Sequence, residues 1–114
     1  MEYVFIPTNE FVKSLKALAK KYKSIKDDLK EFEIEFVNSN GLVGSDLGGG
    51  YRKVRVAIQS KGKGKSGGAR IITYELCLKM EERTVVLVDI YDKSDRETMK
   101  DSEYKSIIKR FLEK

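Results

Sequence analysis

The chain has 114 residues, 40% of them apolar and 36% charged, which fits one soluble domain and argues against both wholesale disorder and a membrane-spanning segment. It contains no histidine and a single cysteine, Cys77, so the usual zinc ligand and general base are missing and no intrachain disulfide can form. The net charge of +5 is concentrated: residues 51–70 carry seven Lys/Arg and no acid, while residues 1–50 carry seven against eight and residues 71–114 nine against ten.

The N-terminus lacks a signal-peptide pattern, and EYVFI, closed by Pro7, is short, aromatic and β-branched, so it predicts a strand. Phe11, Leu15, Leu18, Ala19 and Tyr22 then recur at helical spacing. Ser24 with Asp27 matches a capping box that restarts a helix carrying Ile25, Leu29, Phe32 and Phe36 on one stripe. Together these segments predict a helical hairpin.

All nine glycines lie between Gly41 and Gly68. GLVGSDLGGG reads as a loop pinned by Leu42, Val43 and Leu47. RKVRVAI reads as a strand with Val54, Val56 and Ile58 facing a core and Lys53 and Arg55 sharing the other face. SKGKGKSGGAR follows as a long flexible connection. ARIITYELCL and TVVLVDIY are two further strands with a polar link from Lys79 to Arg83. Both are apolar on two faces, which predicts central strands covered on each side, with Cys77 a small apolar filler. Tyr104, Ile107, Ile108, Phe111 and Leu112 form the stripe of a last helix that Asp101 or Ser102 could cap. The expected order is β-α-α-β-β-β-α in one domain spanning 1–114: an α+β fold with a small, largely antiparallel sheet.

Two motifs suggest chemistry and fail on inspection. GKS at Gly64–Ser66 would need a glycine at position 59, where Gln59 stands, and a helix after it, where a strand is predicted, so a nucleotide-binding loop is not supported. Asp89, Asp92 and Asp95 have a spacing that could hold a divalent ion, but Lys93 and Arg96 lie among them, and a solvated loop with local ion pairs explains the pattern better. The cationic window could also be a merely solvated hairpin. Against that, Lys53 and Arg55 sit on one strand face with no acid nearby in sequence, and like charges held together cost free energy unless an anion joins them.

The run DLGGGYRKVRVAIQSKGKGKSGGARIITY, followed by LVDIYDKSD, resembles the RelE/HigB family of toxins from bacterial type II toxin–antitoxin systems. The resemblance implies a RelE-like fold: two N-terminal helices, a largely antiparallel sheet and a C-terminal helix. It implies a cytoplasmic endoribonuclease that cuts messenger RNA in the ribosomal A site, without metal or cofactor, and a cognate antitoxin that blocks it. The family's arginine at the start of the strand after the glycine loop matches Arg70, and its paired cations on the preceding strand match Lys53 and Arg55. After the last strand Lys93 or Arg96 would serve, with Tyr91 or Tyr104 supplying a ring. Lys53 and then Lys93 are the expected proton-transfer groups, and Arg52, Lys61, Lys63 and Lys65 are expected on backbone phosphates. The alternatives are a gyrase poison of the related ParE type and an RNA-binding module without catalysis.

Overall fold

The computed structural model describes residues 2–79 and 81–113. Side-chain burial at residues 77–79 lies outside that description, and the packing expected of Cys77 with it. Strand β1 (Glu2–Pro7) is followed by helices α1 (Asn9–Lys21) and α2 (Ile25–Asn38). Strands β2 (Ser45–Gly48), β3 (Tyr51–Val56), β4 (Ala69–Lys79) and β5 (Glu82–Asp92) come next, and helix α3 (Asp101–Leu112) closes the chain. The sheet order is β1-β5-β4-β3-β2, with β1 parallel to β5 and every other pair antiparallel. The class is α+β, as the periodicities indicate.

The reading of the first glycine-rich segment is corrected. The glycine-rich segment before β3 is not all loop, because Ser45–Gly48 forms the edge strand β2. Gly48, Gly49 and Gly50 take φ of +87°, +62° and +91°, a left-handed succession that residues with a Cβ rarely adopt, and this lets β2 turn straight into β3. Val43 and Leu47 pack against the body as expected, but Leu42 is 76% exposed.

The two-faced character of β4 and β5 is resolved by helices on both sides. Phe11 and Leu18 from α1 and Ile25, Phe32 and Phe36 from α2 bury against Val54, Val56, Ile71 and Leu87. Tyr104, Ile107 and Ile108 from α3 cover Ile72, Val86 and Val88 on the opposite face. Fully burying a side chain of this size contributes about 1.5–3 kcal/mol, so both helical layers are needed to hold the sheet. Leu112, expected on the α3 stripe, is 51% exposed.

The caps also differ from expectation. Thr8 caps α1, accepting from the Phe11 N–H at 3.0 Å and donating to the Val88 carbonyl at 2.7 Å, which ties the helix start to β5. Ser24 makes no capping bond. Its hydroxyl instead donates to Asp28 at 2.7 Å and accepts from the Ser60 N–H at 2.8 Å. At α3 the helix begins at Asp101, and the Glu103 carboxylate accepts the Lys100 N–H at 3.2 Å, so neither Asp101 nor Ser102 is the cap.

The candidate functional site

Register on the α3 face builds the site. Arg55 stands directly opposite Arg70, and Arg70 opposite Tyr91, while Lys53 is opposite Ile72. Arg70 therefore shares a face with Lys53 and Arg55, although its neighbours Ile72, Tyr74 and Leu76 make that face the more apolar one of β4. No bulge is needed, because α3 covers the far part of the face and leaves the cationic end open.

That end is a cleft of about 540 Å³, lined by Lys53, Arg55, Lys65, Arg70 and Lys93 together with Glu97, Thr98 and residues 43–45. Arg70 is only 5% exposed. It donates to the carbonyls of Lys65 (3.0 Å), Ala69 (3.1 Å) and Ser66 (3.1 Å), which occupies three of a guanidinium's five N–H groups and leaves two for a ligand. Burial, and then the nearby Arg55 charge, pull its pKa down from the ordinary arginine value. A guanidinium stays protonated despite such a shift, so Arg70 keeps its charge and can bind an anion.

Among the described residues no carboxylate lies within ion-pair distance of Lys53, Arg55 or Arg70, and Lys53 Nζ meets only Thr98 Oγ1 at 3.4 Å. Two other cations of the basic window, Lys61 and Lys65, are answered by acids distant in sequence. Lys61, 10% exposed along its side chain, binds Asp92 at 2.7 Å and Ser94. Lys65 pairs with Glu35 at 2.9 Å. Arg52 points away, donating to the carbonyls of Val43 (2.9 Å) and Gly44 (3.2 Å) near Asp46. Lys63 is exposed on the loop, outside the cleft lining.

The loop itself is less free than its composition indicates. A 3₁₀ turn at Gln59–Lys61 is held by Ser24 and Asp28 of the helical hairpin, Lys61 is fixed on Asp92, and the later loop carbonyls clasp Arg70. Asp92 is the anchor. Burial alone would raise its pKa, but the Lys61 ammonium, the Tyr22 hydroxyl at 2.5 Å and the Ser94 N–H at 2.9 Å outweigh burial and bring it to about 2.

Beyond β5, Lys93 reaches the cleft and lies 3.4 Å from Glu97. Tyr91 belongs instead to the α3-side core, where burial pushes its phenol pKa up against weaker pulls from Met99, Thr98 and the nearby arginines. Its hydroxyl is buried without a well-formed hydrogen bond. Arg96 stacks on the Tyr91 ring, 5.4 Å from its centre, and pairs with Glu103 at 2.7 Å, so it supports the cleft from outside. Tyr104 stacks on Tyr51 in the same core.

The three aspartates spaced by three do not gather at one point: Ser14 donates to Asp89 at 2.6 Å, Lys61 and Tyr22 hold Asp92, and Lys21 lies 3.9 Å from both Asp92 and Asp95. Their ion-pair partners are the tertiary Lys61 and Lys21 rather than Lys93 or Arg96, although Arg96 still acts on Asp89 through its charge. Among the described residues no group of three or more His, Cys, Asp or Glu side chains could hold a metal ion, and no helix is long and apolar enough to cross a membrane.

Sequence reasoning thus names the five cations that the fold gathers. It passes over Glu97 and Thr98, which complete the lining, and the Asp92–Tyr22 anchor, because a lone acid in a polar loop and a strand-end aspartate carry no distinguishing pattern. A family model described as the RelE toxin of the RelE/RelB toxin–antitoxin system matches residues 8–112.

Proposed function

The chain belongs to the RelE toxin family of toxin–antitoxin systems, a membership that implies a cognate antitoxin as partner, and we propose on that basis that it is a cytoplasmic endoribonuclease cutting messenger RNA in the ribosomal A site. The observation that carries this reading is the open cleft in which Lys53, Arg55 and Arg70 converge with no carboxylate among the described residues to neutralise them. Clustered cations of this kind suit an anion, and the phosphodiester of single-stranded RNA is the anion we assign to them.

RNA supplies its own nucleophile, the ribose 2′-hydroxyl, so the protein needs to align the strand, move two protons and stabilise charge as phosphorus becomes five-coordinate. Arg70, pre-ordered by the loop carbonyls, offers its remaining N–H groups to the developing charge, and Arg55 across the ladder reinforces it. Lys53 and Lys93 are within the same cleft and can hand protons to the leaving oxygen. Lys65 can leave Glu35 for a flanking phosphate, since an exposed ion pair is held by under about 1 kcal/mol.

The test is induction in bacteria without the antitoxin. Growth should stop, with messages cut inside coding regions, and Arg70→Ala should restore growth while the protein remains soluble. Normal growth of cells holding soluble wild-type protein would end this reading, and arrest with intact messages would point to the gyrase-poisoning relatives.

A further inference from the structure

Among the described residues, one carboxylate lines the cleft. Glu97 lies between β5 and α3, its Oε1 3.4 Å from Lys93 Nζ and its side chain 88% exposed. The adjacent Thr98 accepts from Lys53 Nζ, so residues 97 and 98 together touch two of the three lysines that line the cleft. A carboxylate beside a bound phosphodiester weakens binding, because the two anions repel. It contributes something the cations lack. Ammonium and guanidinium groups have protons to give and no lone pair to receive one, whereas an ionised carboxylate is acceptor-only.

Resting on the nuclease reading above, we propose that Glu97 is the general base of the cleavage. Its carboxylate takes the proton from the 2′-hydroxyl as the O2′ lone pair forms the bond to phosphorus. The P–O5′ bond breaks with its electron pair on O5′, which takes a proton from the Lys53 ammonium. The products are a 2′,3′-cyclic phosphate and a free 5′-hydroxyl, and exchange with water returns Glu97 and Lys53 to their starting states. Lys93 Nζ, 3.4 Å from Oε1, holds the carboxylate at the rim of the cleft.

Because Glu97 is exposed and packs against nothing that the fold depends on, substitutions there test chemistry rather than folding. Glu97→Gln should cut ribosome-bound message 10²- to 10⁴-fold more slowly than wild type. The same variant should bind an uncleavable 2′-O-methyl RNA as tightly as wild type or more tightly, since a repelling charge has gone. Glu97→Asp, which keeps the carboxylate, should recover part of the rate. A Glu97→Gln enzyme slowed by less than tenfold, or one that loses binding in proportion to cutting, overturns the role. A wild-type protein that cuts no message at all removes the nuclease reading itself, and this role falls with it.

Discussion

Asp92 is a buried carboxylate whose donors come from the C-cap of α1, from the 3₁₀ turn and from the chain just after β5. Its pKa of about 2 lies below the value near 3.9 of an unfolded aspartate, so the folded state favours the ionised form. The stabilisation, on the order of 2 kcal/mol, is present above about pH 4 and is lost as pH falls through 2. Asp92→Asn should lower unfolding free energy at neutral pH by a similar amount, and the gap to wild type should close between pH 4 and pH 2. Urea titrations across that range measure it; a variant as stable as wild type at pH 7 would show that Lys61 and Tyr22 find equal partners elsewhere. Arg70 shows the complementary case, a buried cation with carbonyl partners and, among the described residues, no counter-ion, so burial pulls its pKa down instead.

At the scale of elements, the β3–β4 pair decides the site, and a close approach holds it. A Cβ built on Gly68 would stand 2.1 Å from the Val56 carbonyl oxygen and 3.1 Å from Ala57 Cα, both backbone, so nothing can swing aside. Gly68→Ala should therefore cost about 1–3 kcal/mol and lower the melting temperature by several degrees, while also moving Arg70 two residues on. Calorimetry beside a cleavage assay checks both effects; an unchanged Tm would mean that the strands tolerate separation at this end. The alternation of Val54, Val56 and Ile58 with Lys53 and Arg55 was enough to assign the faces of β3. The faces of β4 were not assignable in the same way, because Ile72 and Tyr74 are covered by a helix that arrives thirty residues later. Edge strand β2 escaped detection because three glycines in succession read as loop, although their left-handed freedom is what makes the tight hairpin possible.

For the whole molecule the consequence is electrostatic. Seven cations stand in the basic window, but the cleft is lined by four of them, Lys53, Arg55, Lys65 and Arg70, plus Lys93 from outside it. If those five meet single-stranded phosphates, log K for an uncleavable RNA should fall with log salt at a slope of about −3.5, against about −5 for all seven window charges. Lys65→Ala should reduce the slope by about 0.7, and Lys63→Ala should leave it unchanged. A slope nearer −5, with Lys63 and Lys61 contributing equally, would show that the loop binds as an unstructured basic tail instead of through the cleft. The sequence by itself determined the α+β class, the order of helices and long strands, and the concentration of positive charge, because hydrophobic period and composition are local properties. Only the tertiary structure decided which charges remain unanswered. Asp92 and Glu35 reach Lys61 and Lys65 across 31 and 30 positions, while among the described residues no acid arrives at Lys53, Arg55 or Arg70, and such pairings follow from strand register and helix docking rather than from neighbours along the chain.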